Sequence, residues 1–277
     1  MIKENKGSAL GTVILGIIAV VFLFPVFIVL INSFKTRFAI SQSPFTLPDS
    51  LTFVGIENYI KGVRDTGFLS AFFWSLFITV FSVGVIVVFT SMTAWYITRV
   101  KNLLSRTLYL LFIFSMIVPF QMVMFTMSKI ANSLSLDNPI GLILIYLGFG
   151  AGLSVFMFSG FVKSVPLGIE EAATIDGCNP FETFWYVVFP ILKPTSITVA
   201  ILNTMWIWND YLLPYLVIGN EYKTIPIAVQ YLKGGYGSID MGAMMAMLVL
   251  AILPVVIFYL ACQKYIIKGV AAGAVKG

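Results

Sequence analysis

"GSALGTVILGIIAVVFLFPVFIVLINSF", residues 7–34, contains no charged side chain. A helix rises about 1.5 Å per residue and needs about 20 residues to cross roughly 30 Å of hydrocarbon, so this run is long enough to span a membrane. Four further intervals are equally bare of charge: Asp65 to Arg99, Arg106 to Lys129, Asp137 to Lys163, and Asp240 to Lys264. A sixth apolar run, "TSITVAILNTMWIWNDYLLPYLVIG" (195–219), is interrupted by Asp210 and Pro214. An open strand in lipid would leave its backbone unsatisfied, so all six read as helices. The sequence therefore predicts an all-α membrane protein, one transmembrane domain over 1–277, with spans at about 9–32, 70–97, 107–128, 139–162, 195–219 and 241–263.

Composition agrees. Hydrophobic side chains make up 59% of the chain and charged ones 10%, whereas soluble chains average about a quarter charged. The net charge of +5 is spread along the chain rather than gathered in a stripe, which argues against nucleic acid as a partner. There is no histidine, which removes the commonest metal ligand, general base and intramembrane proton relay. Cys178 and Cys262 lie far apart with no CxxC, and neither is expected to do chemistry. The opening apolar run lacks a small-residue cleavage site and reads as an uncleaved first span.

An even number of spans puts both termini on one side. With the N-terminus in the cytoplasm, ten Lys and Arg fall inside and seven outside, and Arg99, Lys101 and Arg106 crowd a short inner loop. That bias favours cytoplasmic termini. It also places one long segment, 163–194, on the inner face between spans four and five.

That segment, "KSVPLGIEEAATIDGCNPFETFWYVVFPILKP", reads as two short helices with a hard stop between them. Pro166 suits a helix start, Glu170 and Glu171 favour its positive end, and Ala172 and Ala173 are thin, strong helix formers. Asp176 precedes Gly177, which fits the left-handed position that closes a helix. Asn179, Pro180 and Glu182 then form the outline of a capping box. Phe181, Phe184, Trp185, Val188 and Phe189 follow at i, i+3, i+4, i+7 and i+8, an apolar stripe ended by Pro190 and Pro194. A thin helix with a stiff follower is built either as a solvated loop or as a wedge for a concave partner.

The run Glu171-Ala172-Ala173, three residues, Gly177, nine residues, then Val187-Val188-Phe189-Pro190 resembles the EAA loop of bacterial ABC importer permeases. Val187 and Phe189 replace the usual Ile and Leu, both apolar for apolar. The tail "QKYIIKGVAAGAVKG" (263–277), "WNDYLLPYLV" (208–217) and "GIENY" (55–59) are similar to the carbohydrate, maltose-type permeases, specifically the shorter, MalG-like subunit.

The resemblance implies a cytoplasmic coupling helix at 168–177, with Glu170, Glu171, Ala172, Ala173, Asp176, Gly177 and Pro190 serving the ATPase contact. It implies a second homologous permease, two nucleotide-binding ATPase subunits that use ATP and magnesium, and an extracytoplasmic sugar-binding protein or lipoprotein. The setting would be the bacterial cytoplasmic membrane. No cofactor is expected on this chain, which has no G-x-x-x-x-G-K-[ST] phosphate loop. The substrate class implied is carbohydrate, with raffinose-type galactosides and malto-oligosaccharides both open. The tail 272–277 is either a contact to the ATPase subunits or a frayed end.

A sugar pathway needs hydrogen-bonding groups beside flat apolar faces. Gln121, Asn203, Trp206, Trp208, Asn209, Asp210 and Tyr211 are the candidates, with ordinary interfacial aromatics as the alternative for Trp206, Trp208 and Tyr211. Gly148 and Gly152, four apart in the fourth span, read as a helix-packing surface. Loops 45–66 and 220–240 are candidates for docking the binding protein. An ion-coupled secondary transporter, a channel subunit and a membrane-embedded enzyme are the competing classes. The first would depend on Asp210, the one carboxylate inside a predicted span.

Overall fold

The computed structural model describes residues 6–230, 232 and 240–274, with side chains over 9–230, 232 and 240–265. Helices account for nearly all of its regular structure, and the one β-bridge among these residues joins Lys35 to Phe53. In chain order the helices are α1 (Lys6–Asn32), α2 (Arg37–Gln42), α3 (Glu57–Thr66), α4 (Phe68–Arg99), α5 (Leu103–Ile117), α6 (Phe120–Ser133) and α7 (Pro139–Val162). There follow α8 (Leu167–Ile175), α9 (Pro180–Ile191), α10 (Lys193–Asn209), α11 (Leu212–Val217), α12 (Ile225–Gln230) and α13 (Met241–Ala274).

Four helices, α1, α4, α7 and α13, are long and apolar enough to cross a membrane alone. Two further pairs, α5 with α6 and α9 with α10, are long and apolar enough only when taken together, and each is sharply bent. Between α5 and α6 the axis turns through 108°. Pro119 lacks an N–H and pushes the preceding Val118 out of the helical region, to ψ 113°, so the helix must stop there. Between α9 and α10 the turn is 76°. At the far end of α10 the backbone leaves the helix at Asp210, ψ 125°, and the Asp210 Oδ1 accepts from the N–H of Leu212 at 3.1 Å to start α11.

The chain divides into two compact units. The first comprises residues 1–69 and 228–254. Its fixed point is the loop after α1. Gly55 turns the chain at φ +57°, and the Asn58 amide then donates to the carbonyls of Ser33 and Lys35, both at 2.9 Å. Tyr59 shares a 2.7 Å hydrogen bond with the Ser33 hydroxyl. A Cβ on Gly242 would stand 2.5 Å from the Asn58 side chain, so α13 approaches this loop as only glycine allows. The "GIENY" stretch thus ties its loop together. Lys35 is fully buried and donates to the Ser43 carbonyl at 2.9 Å. Burial pushes its ammonium down, with Asp49 pulling partly back.

The second unit comprises residues 70–227 and 255–277, and its core runs through Ile78, Ile86, Tyr146, Phe158, Phe184 and Val199. Here α7 packs closely against two neighbours. A Cβ on Gly152 would lie 2.8 Å from the Phe112 carbonyl of α5, and one on Gly150 2.7 Å from Ile86 of α4. Gly148 meets nothing within 4 Å. Within this chain Gly150 and Gly152, about 200° apart around the helix, each admit a different neighbour, and of the pair four apart Gly152 is the one that meets a helix.

Candidate functional site

The segment after α7 builds a protruding elbow. Pro166 stands at the N-cap of α8, and the helix ends in a Schellman motif. Its two bonds run from the Cys178 N–H to the Ala173 carbonyl at 3.0 Å and from the Gly177 N–H to the Thr174 carbonyl at 3.1 Å. Gly177 sits at φ +90° with open space around it, so the position demands glycine for backbone conformation rather than for room.

A full capping box opens α9. Asn179 accepts from the Glu182 N–H at 3.0 Å, and Glu182 accepts from the Asn179 N–H at 2.8 Å. Thr183–Val188 then widens into a π-helix. This shifts the predicted apolar stripe: Thr183, Phe184 and Val188 are buried, Trp185 and Phe189 half-buried, and Phe181 is left exposed. Single π-turns inside helices recur at functional positions.

The two faces of α8 differ sharply. Glu170 and Ala173 point into the fold and are buried, whereas Glu171, Ala172, Ile175 and Asp176 are exposed, Ile175 at 85%. Glu170 is held on both oxygens. Arg99, the last residue of α4, donates to Oε1 through Nη2 at 2.6 Å and Nε at 2.9 Å, and Trp95 Nε1 donates to Oε2 at 2.9 Å. The same Arg99 Nη2 donates to the Val165 carbonyl at 2.9 Å. A charge-assisted fork of this kind fixes direction as well as distance. Glu170 therefore belongs to an internal clasp, while Glu171, Asp176 and the small Ala172 form the outward tip. Sequence reasoning missed Arg99 and Trp95, which lie 71 and 75 residues away.

Residues 86–272 match the model of the binding-protein-dependent transport system inner membrane component family. The chain belongs to this family. Over 264 residues it is 41% identical to the probable starch degradation products transport system permease protein AmyC of Thermoanaerobacterium thermosulfurigenes, covering 95% of each chain. It is 35% identical to the multiple sugar-binding transport system permease protein MsmG of Streptococcus mutans, covering all of each chain. It is 30% identical to the melibiose/raffinose/stachyose import permease protein MelC of Bacillus subtilis, covering 99% of each. In fold it is similar to a chain in the crystal structure of a bacterial ABC transporter that imports the acidic polysaccharide alginate. The TM-score there is 0.79 at 22% identity, over 96% of this chain and 98% of that one.

This binding-protein-dependent permease does not gather its pathway candidates into one cluster. Asn203 is buried and donates to Ser154 at 3.2 Å and to the Val199 carbonyl at 2.9 Å, which makes it a tie between α7 and α10. Trp208 is buried edge-on against Phe72 at 6.0 Å. Asp210 accepts from the Tyr146 hydroxyl at 3.1 Å, and Trp206 lies edge-on to the same tyrosine at 5.4 Å. Tyr211 stacks on Tyr215 at 5.2 Å. Gln121 and Asn209 are exposed, the latter donating back to the Met205 carbonyl at 2.7 Å. Tyr146, fully buried at the centre of this group, carried no signal in the sequence beyond being one apolar-run tyrosine.

Both cysteines are free thiols, and among the described residues no group of three or more His, Cys, Asp or Glu could hold a metal. The tail expectation for 272–277 falls outside the described residues after 274, and the loop candidate at 220–240 does so at 231 and 233–239.

Proposed function

We propose that this chain is one of two permease subunits of an ATP-driven carbohydrate importer in the bacterial cytoplasmic membrane, with both termini in the cytoplasm. It forms half of the translocation pathway and hydrolyses nothing itself. The observation that carries this reading is the divided α8: an exposed tip of Glu171, Ala172, Ile175 and Asp176, backed by a carboxylate clasped to the end of a span. A partner ATPase subunit receives the tip in a cleft, where the thin Ala172 permits close approach and the two acids meet cations or N–H donors. When two such ATPase subunits close on ATP, α8 moves. Gly177 and the capping box keep α9 at a fixed angle behind it, so the displacement reaches α10, while Arg99 carries it to α4.

The substrate class rests on relatives named for starch products, multiple sugars and melibiose, raffinose and stachyose. Oligosaccharides are therefore the proposed cargo, delivered by an extracytoplasmic binding protein. The exposed Gln121, Trp206 and Asn209 are the proposed pathway contacts, while Asn203 and Trp208 act through packing. The ion-coupled alternative would need Asp210, whose two oxygens already accept from Leu212, Leu213 and Tyr146.

Gly177→Val in the assembled complex tests the coupling role. The expected outcome is an intact set of subunits whose ATP hydrolysis no longer drives uptake of labelled malto-oligosaccharide or raffinose. Uptake at the wild-type rate would overturn the coupling assignment, and wild-type complex that takes up no sugar of either type would overturn the substrate class.

A further inference from the structure

Where α4 ends and α5 begins, the second unit contains a cavity of about 560 Å³ that the coupling function leaves unused. Three cations line it, Lys101, Arg106 and Lys163, and no carboxylate does. None of the three has an acidic partner within salt-bridge distance among the described residues. Lys163 lies over the ring of Tyr109, another wall residue, at 5.4 Å from its centroid. Three like charges around one hollow repel each other, and such an arrangement is relieved by a bound anion.

Thr98, Ser105 and Ser159 also line the cavity, with their hydroxyl oxygens closed off behind its wall. A phosphate group in the open space supplies the negative charge that the three cations lack.

The surroundings favour a phosphodiester that carries hydrocarbon. From the mouth of the cavity, Leu103, Leu110 and Phe114 run along α5 at i, i+7 and i+11, all strongly exposed. This apolar stripe begins where the charged ring ends, at the level where the long apolar helices α4 and α7 terminate. Basic pockets between spans at that level suit anionic headgroups, with acyl chains lying on the adjoining helix.

We infer that this cavity is a binding site for the headgroup of an anionic phospholipid, held by Lys101, Arg106 and Lys163, with its acyl chains against α5. The test uses the purified, fully assembled transporter and counts retained lipid by native mass spectrometry after titration with phosphatidylglycerol or phosphatidylcholine. At about fivefold per cation, K101Q/R106Q/K163Q lowers the apparent affinity for phosphatidylglycerol by roughly a hundredfold. Phosphatidylcholine binding is weak in both proteins. The control K193Q/K264Q, which removes two exposed lysines elsewhere, stays close to wild type.

Should the triple variant assemble poorly, the single variants K101Q and R106Q give graded losses of about fivefold each. Equal retention by wild type and the variants overturns the proposal, as does equal loss in the control, which would signal diffuse surface attraction. Displacement of the lipid by inorganic phosphate at matching concentration reassigns the site to a free anion. Loss of an ATPase subunit with unchanged lipid binding reassigns it to a protein contact.

Discussion

The helices α1 and α7 have nearly the same job description, yet they solve it differently. The apolar window of α1 has a mean hydropathy of 3.3 and is 6% buried; that of α7 has 2.1 and is 50% buried. The more hydrophobic helix is the less covered one. In lipid no aqueous penalty drives apolar side chains together, so hydropathy reports exposure to hydrocarbon, while close association relies on small residues and hydrogen bonds. The α7 helix has both, in Gly150, Gly152 and the Ser154 contact to Asn203. The α1 surface, from Leu10 through Phe22 to Leu30, is almost wholly exposed and is left for lipid or a partner chain.

The largest expected effect tests the packed side at its polar end. Arg99→Ala leaves a buried carboxylate at Glu170 without its counter-charge, which should cost about 3 to 5 kcal/mol. A thermal melt of the purified complex should show the loss, and Arg99→Met combined with Glu170→Leu should restore most of it. A single variant as stable as wild type would mean the clasp contributes nothing.

Next comes the lipid side. Val20→Arg places a charge at the middle of α1 on an exposed face and should raise the insertion free energy by about 2.5 to 3.5 kcal/mol, read in a membrane-insertion assay. A cost near zero would show that this face lines water. Within α7 itself, Gly152→Val should destabilise by about 1 to 3 kcal/mol through overlap with α5, while Gly148→Val should stay within about 0.5 kcal/mol. Equal effects would erase the distinction between the two glycines.

The smallest effect lies outside the membrane, at the Lys61–Asp240 pair of the first unit. The hydrogen bond and charge of Asp240 raise the Lys61 ammonium above its usual 10.5. Burial pushes the Asp240 carboxyl up, but the bonds from Lys61 and the Ala243 N–H outweigh it and hold the group below its usual 3.8. The carboxylate's contribution is thus complete above that ordinary value and disappears as pH falls through the lower folded one. The ammonium's contribution is complete below its ordinary value and disappears as pH rises through the higher folded one. Lys61→Met should cost less than about 1 kcal/mol, with a difference in melting that is flat between about pH 5 and 9. A slope inside that window would place the pair's titration elsewhere.

The all-α class and the ends of the helices around the elbow were legible because they depend on local signals. Charge-free intervals mark spans, and Pro166, Gly177 and Asn179 with Glu182 mark helix ends. The bends were half legible: Pro119 was visible, but an uninterrupted apolar run masked its effect on Val118. Contacts at long range were not legible. The periodicity of α8 could not say which of two adjacent glutamates turned inward, because Arg99 and Trp95 meet Glu170 only after α4 and α7 have packed. Likewise Asn203, a polar residue in a span, looked like a pathway group until Ser154 was found opposite it.

One of the anchors gripped by Arg99 is a main-chain carbonyl, that of Val165. A sequence that drifts at position 170 keeps that anchor, whereas one that drifts at position 99 loses both at once. The joint is therefore asymmetric in its tolerance: loss of the carboxylate spares the tie to the Val165 carbonyl, whereas loss of the guanidinium leaves the Trp95 indole as the remaining hydrogen bond to Glu170.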